Sequence, residues 1–300
     1  MPENLFKINA KEYILPGTRA CQGCGLSLAY RYALKALREN TIVTLPASCL
    51  CVLHGIYPST PVMIPCLNNS FASTAASASG LVAGLQAMNR TDITVMAIAG
   101  DGGTFDMGIQ SLSGAAERGT DFIYVCYDNE GYMNTGTQRS SATPLGALTT
   151  TTPIATKQQH KKDFIKIMEA HDIAYLATAS PSYPIDLYDK FVKAKKIRGT
   201  RYIHLYVPCP PGWAYPPKDT VKMGRLAVET GVSPLFEIEN GRFRFTGRSK
   251  SMAEKGNRLP VINYLEKQGR FRKMNIEQLH QMQRWVDGKW QEYLRRAQEQ

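Results

Sequence analysis

The chain has no run of eighteen apolar residues, so no membrane-spanning helix is expected. Its first stretch, "MPENLFKINAKEYILPG", lacks the apolar centre of a secretory leader. A cytoplasmic location follows as the expectation, and in a reducing compartment its cysteines are not expected to pair as disulfides. There is no internal repeat and no low-complexity tract. Histidine is sparse, and His54, His160, His171 and His204 show no metal spacing, so each reads as a packed or exposed side chain. Acidic residues are outnumbered, 25 against 36 basic ones, for a net charge of +11. That excess suits nucleic acid, an acidic protein or nothing specific, and does not choose among them.

Two common nucleotide-binding patterns are also missing. Gly100 opens a glycine-rich turn, but the sixth place of a G-x-G-x-x-G fingerprint is taken by Phe105. No Gly-Lys-Ser/Thr follows, so the phosphate loop of the NTPases is excluded as well.

What is present is an alternation. Near-continuous apolar runs read as strands at Thr41–Ala47, Asp92–Gly100, Phe122–Asn129, Ile173–Ser180 and Arg201–Cys209. Helical stretches fall between and around them at Leu26–Arg38, Ser70–Met88, Met107–Arg118, Lys161–His171 and Pro184–Lys196. The pattern predicts an α/β chain with a doubly wound, mostly parallel sheet. The Thr- and Pro-rich segment "TPLGALTTTTPIATKQQHKK" reads as a long ordered loop over a site. From Arg242 to Lys273 there are ten basic and two acidic residues, with Phe243, Phe245, Tyr264 and Phe271 between them and no evident core of their own. A last helix is predicted over about Asn275–Ala297. The chain therefore divides into a ligand-binding domain, 1–241, and a basic C-terminal extension, 242–300. The extension is expected to dock on a partner subunit, and its removal to weaken that assembly more than it disturbs the strand-end motifs. Nucleic acid is the less favoured partner for it.

In "MAIAGDGGTFDMG" a strand ends on Gly100 and is followed by Asp101, Gly102 and Gly103. Ligands of open α/β sheets bind beyond the carboxyl ends of strands. Glycines allow close backbone approach, and the next helix N-terminus favours a phosphate. A carboxylate there repels a phosphate unless a cation lies between, and Mg²⁺ meets that need. After "GDG" come twenty-six residues and then Asn129, in "YDNEGYMNTGTQRSS". This resembles the thiamine-diphosphate motif, with Asp101, Asn129 and the Gly131 carbonyl holding Mg²⁺ and the diphosphate completing its shell.

Cys21 and Cys24 form a C-x₂-C pair in "ACQGCG", while Cys49 and Cys209 lie at strand ends in "ASCLC" and "VPCPPGW". Four thiolates on one face of the sheet suit zinc or a [4Fe–4S] cluster. Cys51 is the rival to Cys49, and Cys126 reads as core. The zinc reading leads to a second hypothesis, a zinc-stapled module that binds nucleic acid through the basic segment.

Over Cys21 to Gly241 the chain resembles the thiamine-diphosphate-binding beta subunits of the 2-oxoacid:ferredoxin oxidoreductases. The resemblance rests on "CQGCG", "AGDGGTFDMGIQSLSGAAERG", "YDNEGYMNTGTQRSSATPLGA", "TTTTP", "VPCPPGW" and "RLAVETGVSPLFEIENG". It implies a [4Fe–4S] cluster on Cys21, Cys24, Cys49 and Cys209. It also implies Mg²⁺–thiamine diphosphate at Gly100, Asp101, Gly102, Gly103, Asn129 and Gly131, with Asn134 near the reacting carbon. The implied reaction is coenzyme A-dependent oxidative decarboxylation of a 2-oxoacid. Pyruvate is the first choice; oxalate, phenylglyoxylate and branched-chain 2-oxoacids are the alternatives. No second strand–helix set follows Gly241, so the pyrimidine-side glutamate is expected from another subunit. The chain also lacks a C-x₂-C-x₂-C-x₃-C run, so a ferredoxin-like subunit is expected to carry electrons onward.

Overall fold

The five apolar runs become strands because both of their faces find cover. The computed structural model describes residues 8–299. Its strands are β1 (Thr41–Pro46), β2 (Cys66–Asn69), β3 (Thr94–Gly100), β4 (Ile123–Asp128), β5 (Tyr175–Ala179), β6 (Arg201–Tyr206), β7 (Phe236–Glu239) and β8 (Arg242–Phe245). They form one sheet in the order β2-β1-β3-β4-β6-β5-β7-β8. All neighbours are parallel up to β5; β7 is antiparallel to β5, and β8 to β7.

Side chains alternate across the sheet. On β3, Met96 and Ile98 pack toward the helices Gly25–Leu37 and Pro184–Lys196. Val95, Ala97 and Ala99 pack toward the helices Thr74–Ala87, Ile109–Glu117 and Ile276–Gln298. The doubly wound α/β architecture is therefore the one the alternation predicted. Among the described residues no helix is long and apolar enough to cross a membrane.

Three strands lacked a usable signal. β2 is four residues long and mostly exposed, and β7 and β8 are equally short. The last two correct the domain division. The boundary at 241/242 falls in the turn of the β7–β8 hairpin. In "RFRF", Arg242 and Arg244 face solvent while Phe243 and Phe245 are buried. Two of the ten basic residues that suggested an appendage, Arg242 and Arg244, are the outer face of a strand whose inner face completes the core. Phe243 and Phe245 pack with Trp290 and Tyr293 of the last helix. Tyr264 and Phe271 pack with Tyr206 and Trp213. None of the four aromatics awaits a partner for its cover.

A second difference lies at the glycine-rich turn. Gly102–Met107 forms a π-helical turn, and the α-helix begins only at Ile109. Such turns recur at functional sites, where they widen the backbone locally. A Cβ on Gly102 would stand 2.4 Å from the Tyr132 ring, so only glycine fits there.

Candidate active site

The chain leaves β1 in one direction to β2, while β3 lies on its other side. That reversal opens a crevice at the carboxyl ends of β1 and β3. Asp101 follows β3 and Cys49 follows β1. Gly100 is opposite Tyr127, and Asp128 opposite Tyr206. Parallel register thus brings Asp101, Asn129 and the Val207–Cys209 stretch off the sheet side by side.

Asp101 is fully buried, and its Oδ2 accepts a 2.5 Å hydrogen bond from Ser140 Oγ. Burial, then the neighbouring Asp128 charge, raise its pKa well above the ordinary carboxylate value. Asn129 Oδ1 lies 3.0 Å from Asp101 Oδ1 and 3.0 Å from the Gly131 carbonyl oxygen. Three acceptors therefore face one another. Either the amide turns over so that its N–H₂ donates to both neighbours, or a cation lies among the oxygens. Mg²⁺ binds oxygen at about 2.1 Å, which places adjacent corners of its octahedron about 3.0 Å apart. The donor set and its spacing fit that ion. The structure thus brings together the three residues that the motif paired.

Beside these oxygens lies a hollow lined by Ala47, Cys49, Phe71, Gly100, Gly102, Gly103, Gly131, Met133 and Asn134, among others, with no acidic side chain in its lining. A second hollow, of about 160 Å³, is lined by Cys21, Cys24, Cys49 and Cys209 together with Arg19, Met133 and Asn134. Cys51 is not part of its lining, and Cys126 is buried within β4. The Cys21–Cys24 turn is closed by a 3.1 Å bond from Cys24 N–H to the Cys21 carbonyl. Burial, then the charges of the neighbouring cysteines, push the Cys49 thiol up to about 12, and burial does the same for Cys209. These thiols keep their protons unless a cationic centre replaces them.

Among the described residues no three His, Cys, Asp or Glu side chains are close enough to grip a single metal ion. A lone zinc ion needs sulfurs at about 2.3 Å from one point. Four cysteines in the lining of one hollow fit the volume of a polynuclear cluster.

The two hollows share Cys49, Asn129, Met133 and Asn134. Met133 fills the partition: a Cβ on Gly212 would stand 2.2 Å from its Sδ, and one on Gly131 3.0 Å from its Cε. Asn134 is exposed, and its side chain makes no hydrogen bond among the described residues.

Sequence reasoning missed the groups behind this site. Ser140 steadies Asp101. Trp213 Nε1 donates to the Asn129 carbonyl at 2.8 Å. Lys161 donates to Asp128 at 2.8 Å and to Glu130 at 3.0 Å, and His204 Nε2 pairs with Asp128 at 3.0 Å. Burial alone would raise the Asp128 pKa, but Lys161 and His204 hold it well below the carboxylate range. The position of Glu130 between two ligand candidates was the one available signal; Lys161 and Trp213 offered none.

A family model described as the thiamine pyrophosphate enzyme C-terminal TPP binding domain matches residues 51–205. Pyruvate synthase subunit PorB of Methanothermobacter thermautotrophicus is 48% identical over 96% of this chain and 99% of its own length. The chain belongs to the beta subunits of the 2-oxoacid:ferredoxin oxidoreductases. Ketoisovalerate oxidoreductase subunit VorB of Pyrococcus furiosus is 43% identical over 97% of this beta subunit and 96% of its own length. A 2-oxoglutarate:ferredoxin oxidoreductase from Magnetococcus marinus superposes with a TM-score of 0.57 over 68% of the beta subunit and 70% of its own chain. At 22% identity that likeness establishes the fold. The beta subunit is one component of a multisubunit oxidoreductase of 2-oxoacids, and the nucleic-acid module is set aside.

Proposed function

We propose that this subunit holds Mg²⁺ and thiamine diphosphate on Asp101, Asn129 and Gly131, and a [4Fe–4S] cluster on Cys21, Cys24, Cys49 and Cys209. In this reading it acts in coenzyme A-dependent oxidative decarboxylation of a 2-oxoacid, pyruvate first. The shared wall between the two hollows carries the reading, because it sets a carbon-centred site beside an electron acceptor. Thiamine diphosphate supplies a nucleophilic carbon for the 2-oxo group, and the cluster supplies one-electron acceptance. Asp101 anchors the metal from beneath, in a place water does not reach. Gly102 and Gly103 leave backbone room for the diphosphate. Asn134 stands where the hollows meet, and its free amide can donate to a substrate carboxylate or to a developing oxyanion. Met133 packs between the hollows against Gly131 and Gly212.

PorB and VorB relatives match almost equally well, so overall identity does not choose between pyruvate and a branched-chain 2-oxoacid. Among the described residues the cofactor hollow has no acidic lining side chain, which supports a pyrimidine-side glutamate from another subunit. The chain reconstituted alone, anaerobically, with iron, sulfide, Mg²⁺ and thiamine diphosphate is expected to show no coenzyme A-dependent reduction of a viologen dye by pyruvate. Turnover is expected with the native partner subunits, ahead of 2-oxoisovalerate, oxalate and phenylglyoxylate. Robust turnover by the chain alone would sink the shared site.

Serine at Cys21, Cys24, Cys49 or Cys209 is expected to lower iron and acid-labile sulfide or to shift the cluster's EPR spectrum. Cys126→Ser is expected to do neither. Iron loss in Cys51→Ser, with iron kept in Cys49→Ser, would transfer the third ligand to Cys51.

A further inference from the structure

Arg270 lies 139 residues beyond Gly131 in sequence yet reaches the back of the metal-binding turn. It is 3% exposed. Its Nη2 donates to Glu130 Oε2 at 2.6 Å and to the Tyr264 hydroxyl at 3.1 Å, and its Nε donates to Gln268 Oε1 at 2.8 Å. Its guanidinium lies 4.1 Å from the centre of the Trp213 ring. The Trp213 indole N–H in turn holds the Asn129 carbonyl. One cation therefore grips both sides of the peptide between Asn129 and Glu130, by a carboxylate after it and an indole bonded to the carbonyl before it.

Glu130 needs such support. It has a φ of 66°, a left-handed conformation that side-chain-bearing residues rarely adopt, and it is buried. That conformation turns the chain so that the Asn129 side-chain amide lies between the Asp101 carboxylate and the Gly131 carbonyl. We propose that Arg270 is a positioning residue for Mg²⁺: through Glu130 and Trp213 it keeps the Asn129 amide and the Gly131 carbonyl in place beside the Asp101 carboxylate. The inference rests on the metal reading above. Outer partners of metal ligands act on affinity, because a misaimed ligand must be reorganised each time the ion binds.

The test uses the complex with its native partner subunits, purified anaerobically and stripped of Mg²⁺ and thiamine diphosphate. Mg²⁺ is titrated at fixed thiamine diphosphate, and bound cofactor is measured after gel filtration. Arg270→Met is expected to raise the Mg²⁺ needed for half-saturation about tenfold or more, while melting stays cooperative. Arg270→Lys, which keeps the charge but not the planar fork, is expected to recover part of the loss. Glu130→Gln and Trp213→Phe each cut one arm and are expected to shift the titration in the same direction. If Arg270→Met does not assemble, those two variants decide. A lowered melting temperature with an unchanged Mg²⁺ requirement overturns the inference and leaves Arg270 as packing alone. Asp101→Asn separates the two readings. Wild-type Mg²⁺ dependence in that variant overturns the metal reading and this inference with it. Loss of binding there, with Arg270, Glu130 and Trp213 variants unchanged, overturns only the role of Arg270.

Discussion

Asp101→Asn is expected to weaken Mg²⁺-dependent thiamine-diphosphate binding by more than about 100-fold, beyond what loss of an outer partner costs, and to abolish 2-oxoacid turnover. The fold should survive and can gain stability. In the cofactor-free chain the carboxylate is fully buried, with the Ser140 hydroxyl as donor to one oxygen and the turned-over Asn129 amide as donor to the other. An ionised group in that setting is costly until a cation joins it. Asparagine keeps the shape and an acceptor for Ser140 but removes the charge. The measurement is a thermal melt with and without Mg²⁺ and thiamine diphosphate. The wild-type protein should gain stability from the ligands, by about 2.7 kcal/mol at a hundred times the dissociation constant. The variant should melt at or above the wild-type temperature without ligand and gain nothing from it. Ligand-dependent stabilisation that persists in the variant removes Asp101 from the site.

Truncation after Gly241 is expected to destroy the fold. The composition of the segment suggested a removable tail, and packing says otherwise. Beyond that point lie β8, the last helix and eleven buried large apolar side chains, from Phe243 to Tyr293. Each contributes roughly 2 kcal/mol by its burial, against a net stability of about 5–15 kcal/mol for a whole domain. Loss of β8 also uncovers the edge of β7 and the aromatic cluster on Phe236. The truncated chain should show no cooperative melt and should aggregate. A soluble fragment 1–241 with a sharp transition and native thiamine-diphosphate binding would restore the idea of an appended segment.

The strands β1, β3, β4, β5 and β6 and the helix Pro184–Lys196 were legible because local composition decides them. Runs covered on both faces must be apolar throughout, and turn glycines punctuate them. The motif residues were legible for a related reason. Asp101, Asn129 and Cys209 each follow a strand, and a parallel sheet sends such residues to one edge. The sequence by itself therefore determined the fold class, the family and the residues that meet at the strand ends. Only the tertiary structure decided that Arg242–Phe245 is a strand, since four residues with two arginines are a strand only when a neighbour supplies hydrogen bonds and cover. Only it placed four of the cysteines in the lining of one hollow. And only it joined Arg270 and Trp213 to Glu130, because a buried charge is chosen by its partners in space, and nothing in the composition around Arg270 records them.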